Sequence, residues 1–406
     1  MVVSWLRVSS LLVPLAVAFA CTSTTEHSKT GAGGAGAGGT SGASGASSSA
    51  GASGGAAGTP PCNDGGVLTD ENNCGSCGHS CLGGGCVAGK CQPAVVFSKP
   101  GSSSTSGTLG PLVADGLHLF VGDSGDLGKS VLTGALWVMD LDGKNFERLD
   151  PGGSTEVVAL ASDSTTVYWT SAEGELKAVN KEGGAVSSLV SDPVTMHGVA
   201  VSGKHAFYVG GTTVKQVYLV GNKSWPLTGP LPNPRALAVS GGALYLTTMG
   251  NGPGFLDGTV SRIAVDLGDS PSPTLKTVEP LVLDQFSPGP LATDATHVYW
   301  STAEGDIHRM AFVGAAPEYV AKATDAADQA PQAIAVDEAH VYWTSWGACV
   351  TTGCTIQGRV QRAPKAGGSK KEVLAEGEML PTGIAVAQGA VYWTNWWFAS
   401  VSRLAL

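Results

Sequence analysis

The sequence is poor in charge, and in positive charge above all. Only 14% of the residues are charged, and 23 Lys and Arg stand against 33 Asp and Glu, which leaves a net charge of −10. Ordinary globular domains carry about 25% charged residues. Because no basic patch exists to neutralise a phosphate backbone, we expect no nucleic-acid binding.

Long apolar runs and the common catalytic motifs are missing as well. The apolar stretch that ends at Ala20 is too short to span a bilayer. No phosphate-binding loop, nucleophile elbow or HExxH motif occurs. The glycine-rich segment around Asp123 and Asp126 has acidic oxygens that could hold calcium weakly, but it lacks the ligand set of an EF-hand. The sequence therefore predicts no other cofactor and shows no evident catalysis.

Residues 1–20 have the pattern of a secretory signal peptide, with one positive charge at Arg7, an apolar run and small residues before Cys21. The segment Ala18-Phe19-Ala20-Cys21 resembles a bacterial lipobox. That resemblance implies an exported lipoprotein held at the outer membrane or cell surface by lipid on Cys21. The alternative is ordinary cleavage after Ala20, which would leave a periplasmic or extracellular chain.

Two further segments precede the bulk of the chain. Residues 21–61 are dominated by Gly, Ala and Ser, which bury too little apolar surface to fold, so we expect a disordered linker. Residues 62–93 hold six closely spaced cysteines, which predict a small disulfide module of unknown pairing or, less favoured, a zinc site. These six are Cys62, Cys74, Cys77, Cys81, Cys86 and Cys91. The segment resembles Cys-rich segments of secreted bacterial surface proteins.

From residue 94 onward the chain repeats. Short alternating strands separated by Gly, Asp and Asn turns recur around an aromatic or aliphatic pair, and seven units over residues 94–406 have about 45 residues each, as a four-stranded blade needs. The pairs are Leu119-Phe120, Tyr168-Trp169, Phe207-Tyr208, Leu244-Tyr245, Tyr299-Trp300, Tyr342-Trp343 and Tyr392-Trp393. The sequence therefore predicts an all-β, monomeric seven-bladed β-propeller, closed by the strand at Ala94-Val95-Val96-Phe97.

The Tyr-Trp-Thr cores resemble YWTD propellers and, more loosely, NHL repeats. The resemblance implies the architecture and no particular ligand, because YWTD propellers have six blades and an Asp after the Thr. In this chain that place holds Ser171, Thr302, Ser345 or Asn395. We expect Trp169, Trp300, Trp343 and Trp393 to lie in the core. Four aspartates that end first strands are expected to form turns: Asp115, Asp163, Asp294 and Asp337.

The loops of blades 6 and 7 predict a recognition surface. Trp346, Trp396, Trp397 and Phe398 lie in connections between second and third strands, where exposed rings are typical of partner binding. Cys349 and Cys354 are expected to close the blade 6 loop with a disulfide. The hypothesis is a glycan or protein partner on this face; alternatively, the rings cap the closing blade.

The mouth of the central channel is a second candidate site. Aligned first strands place His197, Arg235, Gln332 and Thr382 around one opening, where propellers commonly hold small ligands. A propeller lyase or hydrolase centred on His197 and Arg235 is therefore the alternative function. The remaining alternative is a purely structural component of the cell envelope.

Overall fold

The computed structural model describes residues 67–100, 108–125, 134–150, 156–269, 273–313, 316–347, 358–368 and 370–406. The chain divides into two compact units, 1–61 and Cys62–Leu406, of which the first lies outside the described residues. The predictions for the signal peptide, Cys21, the linker, Cys62, Cys349 and Cys354 fall outside them too. Within the described part of the chain, no helix is long and apolar enough to cross a membrane.

The cysteine-rich segment is a small disulfide module. Strands β1 (Cys86–Val87) and β2 (Lys90–Cys91) pair as an antiparallel hairpin. Disulfides join Cys74 to Cys86 and Cys81 to Cys91, and Cys77 is disulfide-bonded as well. The sulfur atoms of Cys74, Cys81 and Cys91 lie within 4.8 Å of one another, but they are bonded in disulfides, so the zinc alternative is wrong here.

Seven four-stranded antiparallel sheets follow, which confirms the predicted seven-bladed propeller. Blades 1 to 3 contain β4 (Leu109–Ala114), β5 (His118–Asp123), β6 (Ala135–Asp140) and β7 (Glu147–Arg148); β8 (Val157–Ser162), β9 (Thr166–Ser171), β10 (Glu175–Asn180) and β11 (Ser187–Ser191); and β12 (Met196–Ser202), β13 (His205–Gly210), β14 (Thr213–Tyr218) and β15 (Lys223–Pro226). Blades 4 and 5 contain β16 (Pro234–Ser240), β17 (Ala243–Thr248), β18 (Gly258–Ala264) and β19 (Glu279–Gln285); and β20 (Leu291–Thr293), β21 (His297–Ser301), β22 (Ile307–Ala311) and β23 (Glu318–Ala321). Blades 6 and 7 contain β24 (Pro331–Val336), β25 (His340–Ser345), β26 (Gly358–Pro364) and β27 (Glu372–Glu378); and β28 (Pro381–Ala387), β29 (Ala390–Asn395) and β30 (Ser400–Ala405), completed by β3 (Ala94–Ser98).

Blade 7 closes the ring as the sequence predicts. The N-terminal strand β3 pairs antiparallel with β30, from Ala94 opposite Arg403 to Ser98 opposite Ser400. Arg403 joins three parts of the molecule, because its guanidinium donates to the carbonyl of Leu82 in the disulfide module and, at 3.0 Å, to that of Leu141 in blade 1. Strand β30, the partner of the closing strand, is therefore also tied to the disulfide module and to blade 1.

The recurring aromatic pairs fill the core between blades. All seven pairs lie in second strands, and Trp169, Trp300, Trp343 and Trp393 are at most 1% exposed, which confirms their predicted burial. Large flat rings suit this position because each blade packs face to face on the next. Short 3-10 turns at residues 253–255 and 326–328 are the helical elements of the described chain.

The aspartates at the first hairpins are turn residues, as predicted. In blade 6, Asp337 Oδ1 accepts from the backbone N–H groups of Ala339 and His340, and its Oδ2 accepts from Tyr342 Oη at 2.7 Å. Burial works against the charge on Asp337, but these hydrogen bonds outweigh it and lower the pKa of the carboxyl. Asp163 and Asp294 make the same three bonds with their own turns and tyrosines.

Candidate functional site

The start of each first strand forms one ring around the mouth of the channel. In six of the seven blades the pairing of first and second strands shifts register at this point, which is the mark of a β-bulge. Bulges re-aim side chains at the rims of closed sheets. We call the seven positions at this level the mouth ring; they are Gly110, Val158, His197, Arg235, Gly289, Gln332 and Thr382.

A hydrogen bond from the preceding blade fixes several of these positions. The hydroxyl of Thr394 in blade 7 donates to the carbonyl of Gly110 in blade 1 at 2.7 Å. The equivalent bonds run from Thr170 to the carbonyl of His197, from Thr247 to that of Gly289 and from Thr344 to that of Thr382, at 2.8, 2.8 and 3.0 Å. A threonine of the second strand, which belongs to a Tyr-Trp-Thr core in three of these four blades, therefore holds one blade to the mouth ring of the next.

In blade 6 the loop aromatic and the mouth ring meet at one carbonyl group. The backbone N–H of Trp346 donates to the carbonyl oxygen of Ala330 at 3.2 Å. The side-chain amide of Gln332 donates to the same oxygen at 2.8 Å. Trp346 and Gln332, which the sequence assigned to two separate candidate sites, are therefore neighbours.

Blade 7 repeats this arrangement. The backbone N–H of Trp396 donates to the carbonyl of Leu380 at 3.1 Å, and the hydroxyl of Thr382 donates to the same oxygen at 3.0 Å. We call the group formed by Trp346, Gln332, Trp396 and Thr382 the rim. Two consecutive blades thus join the backbone of a loop tryptophan and a neutral polar side chain at one carbonyl group near the channel mouth.

The tryptophans of the rim are half-buried. The rings of Trp396 and Trp397 lie 6.2 Å apart, and Phe398, the fourth ring of the predicted recognition surface, is 48% exposed. The indole N–H of Trp346 is buried without a hydrogen-bond partner among the described residues. In the other five blades the position equivalent to Trp346 and Trp396 holds Ser124, Ala172, Gly211, Met249 and Ala303.

Beneath the rim lies a cavity of about 520 Å³ in the central channel. It is lined by the first strands of blades 6, 7, 1 and 2. Its polar lining side chains are Gln332, Thr382 and Ser162, and no charged residue lines it in the described chain. The volume is that of a typical small-molecule site. The rim and this cavity share Gln332 and Thr382, so they form one candidate site.

His197 and Arg235 lie on blades 3 and 4 and are not among the residues that line this cavity. Burial and the nearby charge of Arg235 lower the pKa of His197 to about 4, so the imidazole is neutral at pH 7. Arg235 points its Nε towards Met249 Sδ at 2.8 Å, and burial lowers the pKa of its guanidinium. Of the four predicted mouth residues, Gln332 and Thr382 therefore line the cavity, whereas His197 and Arg235 do not.

Glu156 is a candidate that the sequence reasoning missed. It lies two residues before Val158 of the mouth ring, as Ala330 lies before Gln332, and it is only 4% exposed. Burial and the charge of Glu173 raise the pKa of Glu156 to about 7, although a hydrogen bond with Ser124 acts to lower it. Such a carboxyl is half-protonated near neutral pH and suits acid-base work. The one signal in the sequence was an acidic residue directly before an apolar strand.

The described part of the calcium prediction is already occupied by protein groups. Asp123 Oδ2 is paired with Lys99 Nζ at 2.9 Å, and its Oδ1 accepts from the backbone N–H of Gly125 at 2.8 Å. Burial raises the pKa of Asp123 although Lys99 acts to lower it. A calcium ion would have to displace Lys99. Asp126 lies outside the described residues, so the calcium site stays a prediction.

Comparisons with known proteins reveal likeness of fold alone. No protein-family model matches the chain, and no curated protein matches it. A crystal structure of catalytically inactive virginiamycin B lyase from Staphylococcus aureus with quinupristin is 16% identical, with a TM-score of 0.56 over 78% of this chain and 99% of that one. The extracellular domain of a hybrid two-component system from B. thetaiotaomicron is 11% identical, with a TM-score of 0.55 over 77% of this chain and 39% of that one.

Propellers of this architecture thus include an enzyme and an extracellular domain of a signalling protein. At such identities the likeness shows the shared fold and transfers no site residue. The chain is a seven-bladed β-propeller with a disulfide module. Its function has to be argued from its own residues.

Proposed function

We propose that this chain is a recognition protein that binds a glycan or protein partner at the rim of blades 6 and 7. The observation that carries the proposal is the pair of shared carbonyl groups, Ala330 and Leu380, each of which accepts from the backbone N–H of a loop tryptophan and from a polar side chain of the mouth ring. Half-buried tryptophans beside fixed polar groups are characteristic of binding sites, because the rings supply contact area at low entropic cost.

Differences between blades support this proposal. At the loop position where blades 6 and 7 have tryptophan, the other five blades have Ser124, Ala172, Gly211, Met249 or Ala303. A ring needed only for packing the propeller would be expected in most blades, as the core tryptophans are. Two large rings on adjacent blades, next to a cavity of about 520 Å³, instead indicate a ligand.

The test is binding of the full chain to arrays of glycans and envelope proteins, beside the double variant Trp346→Ala, Trp396→Ala. We expect binding by the wild type and its loss in the variant. Tyr319→Ala is the matched control, because Tyr319 is an aromatic residue 47% exposed on the outer strand β23. Equal binding by wild type and double variant would reject the rim.

We further propose that the chain is exported and anchored through lipid on Cys21, on the evidence of residues 1–21 alone. Metabolic labelling with a radioactive fatty acid tests this in the producing bacterium. The wild type should incorporate label and Cys21→Ala should not. Unlabelled wild-type protein would instead indicate ordinary signal cleavage.

A propeller lyase or hydrolase is the second candidate function. The favouring observation is the neutral, half-buried imidazole of His197 on the mouth ring, together with Glu156, whose pKa is raised to about 7. Glu156 can accept or release a proton near neutral pH, whereas the neutral imidazole of His197 can serve only as a proton acceptor. Incubation with quinupristin, the compound in the similar lyase structure, is a direct assay. Turnover that His197→Ala abolishes at unchanged stability would replace the binding proposal with an enzymatic one.

A further inference from the structure

The hydrogen bonds inside the rim restrict what a ligand can offer. A threonine hydroxyl has one hydrogen, and in Thr382 that hydrogen is donated to the carbonyl of Leu380 at 3.0 Å. The Thr382 hydroxyl can therefore only accept a hydrogen bond from a ligand. Gln332 gives one amide hydrogen to Ala330, which leaves its carbonyl oxygen as an acceptor and its second amide hydrogen as a donor. A ligand that fits both side chains must carry hydrogen-bond donors.

Charge restricts the ligand further. The side chains of the rim are neutral, and none of the described residues that line the cavity is charged. The chain as a whole carries −10. A carboxylate or sulfate group would find no cation among the described residues that line the cavity, because Arg235 of the mouth ring lies outside that lining. It would also face an acceptor at Thr382 and would be opposed by the overall charge. A neutral group that carries hydroxyls avoids all three costs.

The shape of the site separates a glycan from a folded protein. Protein partners generally cover broad and rather flat patches, whereas this site is a cavity of about 520 Å³ next to two loops that each begin with a half-buried tryptophan. Sugar rings present an apolar C–H face that packs on indole and hydroxyl edges that donate hydrogen bonds. One or two sugar units have the size and the chemistry for this space.

We infer that the rim and the cavity beneath it bind the uncharged, hydroxyl-bearing end of a glycan. The indole faces of Trp346 and Trp396 contact the sugar rings, and Thr382 and the Gln332 carbonyl accept from their hydroxyl groups. This inference rests on the proposed function and specifies its ligand.

The experiment compares neutral and acidic oligosaccharides on the full chain. The neutral probes are glucan, mannan and N-acetylglucosamine oligosaccharides of two to six units, and the acidic probes are alginate and polygalacturonate oligosaccharides of equal length. Binding is measured by calorimetry for the wild type, Thr382→Val, Thr382→Ser and Tyr319→Ala. Thermal unfolding of each variant identifies any loss that follows from misfolding.

We expect binding of at least one neutral series and none of the acidic series. Thr382→Val should weaken it by about tenfold, the effect of one lost hydrogen bond. Thr382→Ser retains the oxygen and should bind within about twofold of wild type, as should Tyr319→Ala. Thr382→Ser also controls for the structural bond to Leu380, since its hydroxyl can still make that bond.

The possible failures are distinguishable. Preference for the acidic probes, with loss of binding in Trp346→Ala, Trp396→Ala, would overturn the neutral-glycan inference and leave the rim as the site. Binding that is unaffected by the tryptophan variants would overturn both proposals. Failure of every oligosaccharide to bind would overturn the inference, and a protein ligand that requires the same tryptophans would then retain the proposed function.

Discussion

Asp328 holds the connection between blades 5 and 6, and its replacement by Asn should destabilise the propeller strongly. Its side chain is 1% exposed and accepts hydrogen bonds at both oxygens. Oδ2 accepts from the backbone N–H of Thr324 at 2.7 Å and also contacts Lys371, while Oδ1 accepts from Gln361 at 2.7 Å and Arg359 at 3.1 Å. Asp328→Asn would put an amide N–H₂ among groups that all donate.

The expected loss is about 3 kcal/mol in the free energy of unfolding, because removing one member of a buried ion pair leaves the charges of its partners uncompensated. Asp325→Asn is the matched control. Asp325 contacts the same Arg359 at 2.8 Å, but its side chain is 49% exposed, so its loss should cost less than about 1 kcal/mol. Urea unfolding followed by tryptophan fluorescence at pH 7 measures both values. Equal losses in the two variants would refute the reasoning.

The pH dependence gives an independent check. Burial opposes the charge on Asp328, but the hydrogen bonds from Lys371 and Thr324 dominate and lower its pKa from 3.8 to about 2. A carboxyl with a lowered folded pKa stabilises the protein above its unfolded pKa and loses that effect as pH falls through the folded one. The difference between wild type and Asp328→Asn should therefore persist at pH 5 and shrink between about pH 4 and 2. A difference that is constant over this range would contradict the assignment.

Three other changes have defined outcomes. Thr394→Val removes the hydroxyl that donates to Gly110 and should lower stability by about 1.5 kcal/mol in urea unfolding; an unchanged midpoint would reject a stabilising role for the interblade bond. Tyr342→Phe removes the bond to Asp337 and should cost about 2 kcal/mol in the same assay, with the fold intact by circular dichroism. Glu156 has a folded pKa raised from 4.5 to about 7, so the stability of the wild type should fall by about 3 kcal/mol as the pH rises between these values. Glu156→Gln should abolish that fall when unfolding is measured from pH 4.5 to 8. A pH profile that is the same in the variant and the wild type would argue against a buried proton on Glu156.

Much of the fold was predictable because the propeller repeats. The pair Tyr342-Trp343 recurs in register with its neighbours, and strand alternation with Asp337 at the turn marks one blade. Closure by β3 followed from counting strands, since the last unit lacks one. These features are local in sequence, so periodicity and turn chemistry suffice to reveal them.

The site was only partly predictable, because it depends on contacts between distant residues. The sequence predicted separate sites for Trp346 and Gln332. Their common partner is a backbone carbonyl group, whose position cannot be deduced from residue types. The hydroxyl of Thr394 reaches Gly110 across 284 residues of chain. Glu156 acquires its raised pKa from burial and from the charge of Glu173, and an acidic residue before an apolar strand does not by itself reveal either of them.

Ring closure by β3 also bears on how the chain folds. Strand β3 and its partner β30 lie about 300 residues apart, and joining ends at that separation costs about 5 kcal/mol of loop entropy. Pairing of this kind is slow to form, so blade 7 is expected to be the last blade to assemble. Trp396 and Thr382 lie on blade 7, and the cavity beneath them is lined in part by blade 1. Ligand binding would therefore report completion of the ring, because a chain in which β3 has not yet docked has six complete blades and a three-stranded blade 7, but no closed ring around the site.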